Sequence, residues 1–241
     1  MKIQLAYYSA QGNRPVNEDS VSILEFGNSV IAIAADGLGG HGGGDAASRA
    51  AIAAVNSDLQ NQPVSEAALH EAIRHANNAV RALQKDGGEM KTTIAVLWIG
   101  KQCAVAANVG DSRIYQFRGS RIVYQSVDHS VAQMAVLVGE INPEQIRKYP
   151  GRSQLVRSLG MSDDVQIDSS VLRMQRGDSF LICTDGFWEN IAEGEMCLYA
   201  QQDTEPKQWL RRMRNYVETN GIRDLDNHSA IAVGFGRNTE Y

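Results

Sequence analysis

Four acidic residues stand where apolar runs meet turn residues. They are Asp36 in Ile33-Ala34-Ala35-Asp36-Gly37, Asp111 in Ala107-Asn108-Val109-Gly110-Asp111, Asp185 in Ile182-Cys183-Thr184-Asp185-Gly186, and Asp226, which with Asn227 precedes the run from Ser229. Carboxylates gathered at the rim of an apolar sheet repel one another and carry raised pKa values unless positive charge sits between them. A divalent cation supplies that charge, and an all-oxygen donor set suits magnesium or manganese rather than zinc or copper. An Asp before Gly is also an ordinary turn former. Periodicity alone does not bring strand ends together, so both readings stand at this point.

A second candidate is the glycine-rich stretch after Asp36. Gly37-Leu38-Gly39-Gly40-His41-Gly42 satisfies G-x-G-x-x-G, follows a predicted strand, opens a predicted helix and has Asp58 about 20 residues on. A dinucleotide site needs a strand, one helix and a second strand within about 30 residues. Here two helices intervene before the next strand near Thr92, which argues against it. No Lys followed by Ser or Thr ends the glycine run, so it is not a Walker loop.

The elements that must position these acids can be read from periodicity. Ser29 to Ala35 reads as a buried strand ending at Asp36. Asp45 is a candidate N-cap for an Ala-rich helix to about Leu59, and Ser65 for a second from Glu66 to about Gln84. Thr92–Ile99, Cys103–Val109, Arg113–Phe117 and Arg121–Ser126 are short β-rich runs with tight turns, read as one antiparallel meander. Ser130 to about Arg157 is irregular and partly helical, with Pro143 as a first helical residue, and reads as a small inserted lobe. Strands are predicted at 165–172, 179–183 and 229–235, and helices at 193–202 and 206–219 with Gly221 as a C-cap. Hairpins with paired helices make the chain α+β. No linker divides it, so residues 1–241 are expected to form a single domain.

Composition narrows the function classes. The chain has 241 residues, 43% of them hydrophobic, which is enough for one substantial core. With 23 basic against 28 acidic side chains and no basic block, no nucleic-acid partner is expected, since phosphate backbones are held by clustered Lys and Arg. Cys103, Cys183 and Cys197 are too scattered for a disulfide framework or a zinc site. Residues 1–9 lack a signal-peptide core and no run approaches membrane-spanning length, so a soluble cytoplasmic protein without membrane association is expected.

Taken together, Arg14-Pro15-Val16-Asn17-Glu18-Asp19, Ala35-Asp36-Gly37-Leu38-Gly39-Gly40-His41, Thr92-Thr93, Asn108-Val109-Gly110-Asp111-Ser112-Arg113, Asp128-His129-Ser130, Cys183-Thr184-Asp185-Gly186 and Asp226-Asn227 form an ordered set. In that order they resemble the metal-dependent protein phosphatases of the 2C type, small stand-alone bacterial serine/threonine phosphatases in particular, over nearly the whole chain. Any one block is weak; the order is specific.

The resemblance implies a four-layer α-β-β-α sandwich, with two antiparallel sheets flanked by helix pairs and a flap subdomain at about 130–160. It implies hydrolysis of phosphoserine and phosphothreonine in proteins by a water bridging two Mn2+ or Mg2+ ions and attacking phosphorus in line. By position, Asp36 would bridge both ions, the Gly37 carbonyl would ligate one, Asp185 and Asp226 the other, and Glu18 would act largely through water. Asp111 matches a third-ion ligand. Arg14 matches the phosphate-binding arginine, whose planar fork suits two phosphate oxygens; its alternative is a surface ion pair with Glu18 or Asp19. Leu38 stands where eukaryotic members carry a His that protonates the leaving group. His41, three residues on, is read as a structural loop residue rather than a catalytic one. Met90-Lys91 replaces the Gly-rich sequence usual in bacterial relatives.

On this reading the partners are phosphorylated proteins: a cognate Ser/Thr kinase and a forkhead-associated-domain protein, in a setting similar to type VI secretion. Arg147, Lys148, Arg152 and Arg157 could contact residues flanking the phosphorylated side chain, or form a solvated basic face. Arg211, Arg212 and Arg214 are read as exposed helix surface. The competing readings are a catalytically silent member of the fold that binds phosphoproteins, disfavoured because Glu18, Asp36, Asp185 and Asp226 are all present, and the dinucleotide-binding enzyme.

Overall fold

The computed structural model describes residues 3–39, 43–84, 89–101, 103–202, 205–221 and 224–235. Residues 40–42, the end of the glycine-rich stretch with His41, lie outside them. Among the described residues the strands form two antiparallel sheets. One has the order β1 (Ile3–Ala10), β11 (His228–Phe235), β10 (Asp178–Cys183), β7 (Arg113–Arg118), β8 (Arg121–Gln125). The other runs β2 (Asp19–Phe26), β3 (Ser29–Leu38), β5 (Ile94–Ile99), β6 (Cys103–Val109), β9 (Asp168–Arg173), with the short β4 (Lys91–Thr92) beside the end of β3. Helices α1 (Gly44–Leu59) and α2 (Glu66–Leu83) cover the second sheet, and α5 (Glu193–Gln202) and α6 (Pro206–Asn220) the first. This is the four-layer sandwich expected.

Alternation explains why the central strands read as unbroken apolar runs. On β3, Ile31, Ile33 and Ala35 face the helices, where they meet Ala51 and Val55 of α1 and Ile73 of α2. Val30, Ala32 and Ala34 face the other sheet and pack in one cluster with Phe180, Ile182, Ile231 and Val233. Both faces are dry, so neither can be polar. The third core, under α5 and α6, gathers Leu181, Ala230, Ala232, Trp209 and Met213.

Several expectations need correction. The four β-rich runs do not form one meander: β5 and β6 belong to one sheet, β7 and β8 to the other. The chain changes sheets at Gly110, whose φ of +103° turns the backbone sharply. The strand expected to stop at Asp36 continues to Leu38, because β4 pairs Thr92 with Gly37 and Lys91 with Leu38. Asp45 lies in the first turn of α1 rather than capping it; Gly43 is the cap. Strands β1 and β2 were not expected at all, and neither was the single-turn α4 (Asp185–Trp188). Between β8 and β9 the chain forms α3 (Val131–Leu137) and a 3-10 helix at Pro143–Lys148, much as read.

Candidate active site

The four acids meet at one end of the sandwich. Asp36 sits in β3 directly opposite Asp19 of β2, Asp111 in the turn between β6 and β7, Asp185 at the start of α4, and Asp226 two residues before β11. With Arg14, Glu18 and Gly37 they line a cleft of about 640 Å3, whose wall also includes Pro15, Val16, Leu38, Ser153, Leu155 and Asn227. All seven residues singled out from the sequence are therefore in one place.

The backbone around Asp36 is held from both sides. Its N–H donates to Thr93 Oγ1 at 2.9 Å, and its carbonyl accepts from Thr92 Oγ1 and from the Thr93 N–H, each at 2.8 Å. That grip gives the Thr92-Thr93 pair its purpose. Gly37 admits no side chain, since a Cβ there would lie 2.0 Å from the Gly44 carbonyl oxygen. Glu18 Oε1 accepts from the Gly44 N–H at 3.1 Å, at the N-terminus of α1. A carboxylate thus occupies the place where a dinucleotide would need its pyrophosphate. With antiparallel sheets, and with Asp58 bound to His75 at 2.6 Å on the surface, the dinucleotide reading is excluded.

Electrostatics mark the cleft as incomplete without cations. Burial raises Asp36 and Asp111 well above the ordinary carboxylate range, and the charge of Asp185 adds to both. Asp185 is pushed up to about 6 by burial and then by Glu189 and Asp226. Burial likewise raises Glu18. Asp36 feels the charge of Asp185, a repulsion that a proton or a cation between them relieves. Among the described residues no three of these side chains are close enough together to form a ready-made cage for an ion. The donor set nevertheless fits hard cations: five carboxylates, all oxygen, around one cleft.

Arg14 pairs with Asp226 (Nη2 to Oδ2, 2.5 Å), not with Glu18 or Asp19, and its side chain remains 57% exposed. Its guanidinium therefore stands at the open side of the cleft with donors to spare. The basic residues of the segment between β8 and β9 do not reach out as a group. Arg147 donates to the Trp188 and Ile191 carbonyls and to Glu193, Arg152 pairs with Glu189, and Arg157 with Asp168. Arg147 is thus tied inward, while Arg152 and Arg157 are partly exposed and held by ion pairs, so the three do not form a free basic face. Lys148 is exposed. On α6, Arg214 lies over the Tyr8 ring at 4.7 Å, so it is more than helix surface.

Sequence reasoning passed over two residues here. Asp19 is buried; one oxygen accepts from Thr184 Oγ1 at 2.8 Å while Oδ1 has no partner, and burial followed by the charges of Asp185 and Asp226 pushes its pKa up to about 7. The signal was the Glu18-Asp19 pair, read only for its first member. Asn227 accepts from the Glu18 N–H at 2.8 Å and donates to the Gln11 and Val16 carbonyls, so it braces the chain that carries Arg14 and Glu18.

Comparison with known proteins agrees with this geometry. The family model for protein phosphatase 2C matches residues 8–227. A serine/threonine phosphatase (stp) of Listeria welshimeri is 32% identical over 191 residues, 75% of each chain. Among solved structures, the catalytic domain of the serine/threonine protein phosphatase PstP in complex with two manganese ions superposes with a TM-score of 0.81 at 26% identity, over 97% of this chain and 98% of that one. PppA, a key regulatory component of the T6SS in Pseudomonas aeruginosa, gives 0.81 at 26% identity over the same shares.

Proposed function

Because the chain belongs to the protein phosphatase 2C family, we propose that this cleft hydrolyses phosphoserine and phosphothreonine in proteins with two divalent ions, manganese or magnesium. The carrying observation is the gathering of five carboxylates in one cleft, where burial and the charge of Asp185 raise Asp36. When bound, the ions supply an acidified water as nucleophile and neutralise the phosphoryl oxygens. Asp36 would be shared between them, Asp185 and Asp226 would serve one, and the Gly37 carbonyl with Glu18 the other; Asp111 would serve a third.

The chain's own residues do the positioning. Thr92 and Thr93 fix Asp36 from both sides, and Asn227 fixes Glu18. Arg14, anchored through one nitrogen to Asp226, can offer its remaining N–H groups to phosphate oxygens at the mouth of the cleft. Leu38 supplies no proton, so the leaving alkoxide would take its proton from a group other than the side chain after Gly37.

The same reading treats 1–241 as a single phosphatase domain with a flap at about 130–160. Its partners would be phosphorylated proteins in the cytoplasm, a cognate Ser/Thr kinase and a forkhead-associated-domain protein among them. The likeness to PppA supports a type VI secretion setting. Among the described residues no helix is long and apolar enough to cross a membrane. The test is phosphate release from a phosphothreonine peptide by metal-stripped protein with and without manganese, alongside Asp36→Asn and Asp185→Asn. Release that needs the metal and is lost in both variants is expected. Folded, metal-loaded protein inert toward several unrelated phosphopeptides would overturn the reading.

A further inference from the structure

The cleft has two unlike halves. Its floor is acidic, with Glu18, Asp36, Asp111, Asp185 and Asp226, whereas its wall carries Pro15, Val16, Leu38 and Leu155. Arg14 is the one cationic side chain among the described residues lining it, and that group is bound to Asp226. The nearby arginines of the segment between β8 and β9 are engaged by Glu193, Glu189 and Asp168. Two divalent ions would offset four of the five carboxylates and leave one uncompensated, so Arg14 is the only positive charge lining the cleft, among the described residues, beyond the ions themselves.

We propose that Val16, Leu38 and Leu155 form an aliphatic subsite that selects phosphoproteins with an apolar residue beside the phosphorylated serine or threonine. This rests on the phosphatase reading above. These side chains line the same cleft as Arg14 and the acids: Val16 is two residues from both Arg14 and Glu18, and Leu38 follows Gly37. Val16 is 44% exposed, an apolar side chain left in water at the rim of a cleft that otherwise binds charge. Leu155 is fixed in place rather than carried on a loose loop. It bridges to Ser130, the Val156 N–H donates to the His129 carbonyl at 2.9 Å, and the Val131 N–H donates to the Gln154 carbonyl at 2.8 Å. The His129 N–H in turn donates to the Gly110 carbonyl at 3.0 Å, so the aliphatic wall is tied to the turn that carries Asp111. Covering these side chains with an aliphatic neighbour removes apolar surface from water, whereas a Glu there would face the carboxylates of the cleft, and Arg14, the one cation lining it among the described residues, is already shared between Asp226 and the phosphate.

The test uses manganese-loaded, full-length protein and three phosphothreonine peptides identical except for Leu, Glu or Lys on both sides of the phosphothreonine, with p-nitrophenyl phosphate as a substrate that has no flanks. A kcat/KM for the Leu peptide about tenfold above the Glu peptide is expected. The same order should appear in inhibition by non-hydrolysable phosphonate versions, which reports binding without turnover. Leu155→Asn and, at the more exposed position, Val16→Ser should each compress the Leu-to-Glu ratio at least threefold. Equal kcat/KM for all three peptides, or preference for Glu or Lys, with p-nitrophenyl phosphate still hydrolysed, would overturn the subsite and leave the phosphatase reading standing. If no substrate is hydrolysed, both fall.

Discussion

The indole N–H of Trp188 donates to the main-chain carbonyl of Asp111 at 2.9 Å, joining the turn after β6 to the helix that begins with Asp185. The same ring carries the Arg113 guanidinium on its face at 3.4 Å, and Arg113 is held in a bidentate pair with Asp128 at 2.6 and 2.8 Å. Two acids of the cleft are thus fixed through one buried aromatic side chain. Trp188→Phe keeps the ring and removes the N–H, leaving a buried carbonyl without its donor, which should cost about 1–3 kcal/mol in urea unfolding. A loss confined to the stability of the β6–β7 turn would also weaken the fit of Asp111 and lower kcat. Unchanged stability and unchanged kcat together would refute the coupling.

The segment between β8 and β9 is latched to the core by arginine. Arg147 reaches the Trp188 carbonyl at 3.0 Å, the Ile191 carbonyl at 3.2 Å and Glu193 at 2.7 Å. Burial by itself would raise Glu193, but its hydrogen bond to Arg147 and the Arg147 charge keep it below the usual range, so it stays ionised. Arg147→Ala should free the segment without unfolding the sandwich. In hydrogen exchange, the Val131 and Val156 amides should exchange at least tenfold faster while those of β5 keep their protection. Equal acceleration in β5 would mean that Arg147 supports the whole fold instead.

Gly110 has a backbone only glycine adopts easily. Its φ is +103°, and a Cβ there would come within 2.6 Å of Thr93 Cγ2, on the residue that binds the Asp36 N–H. His129 Nδ1 accepts from the Gly110 N–H at 3.1 Å. Gly110→Ala therefore forces either backbone strain or displacement of Thr93, a destabilisation of about 1–3 kcal/mol. Activity should fall by more than the folded fraction does, because Thr93 positions Asp36. A variant with native thermal stability and native kcat/KM would show that the turn relaxes freely.

Much of this architecture was legible because the central strands are dry on both faces, and runs such as Val30–Ala35 have no other place to go. The edges were harder. In β1 and β2 most side chains are only half-buried, so Ile3–Ala10 and Asp19–Phe26 lack a clean period and show themselves only once β11 and β3 pair with them. The split of the expected meander turned on one glycine dihedral, which hydrophobic pattern does not encode. At the site, the acids were visible as residue types before turns, while their convergence required the two sheets to meet at one end. Asp19 was missed because it opens β2, a strand the sequence does not announce, and its burial beside Asp36 appears only once β2 pairs with β3.

The buried acids also set how the metal-free protein responds to pH. Asp185 at about 6 and Asp19 at about 7 lie above the roughly 3.9 expected of an unfolded Asp. Between about pH 4 and 7 the native state therefore holds more protons than the unfolded state, and stability falls as pH rises through that window. Burial lowers His129 and His228, which acts in the opposite sense below about 6.5, so the clearest interval is pH 6.5 to 8, where Asp19 at about 7 and the strongly raised Asp36 and Asp111 extend the window upward. Chelator-treated protein should melt at a lower temperature at pH 8 than at 6.5. Asp185→Asn should be more stable than the wild type when both are stripped at pH 8, since it removes one of the clustered charges. Added manganese should reverse that order, because the wild type gains a bound ion that the variant holds poorly. Differential scanning calorimetry of the two proteins, stripped and loaded, measures all of this. A stripped wild type whose melting temperature is flat or rises from pH 6.5 to 8 would show that these carboxyls are already ionised without a cation.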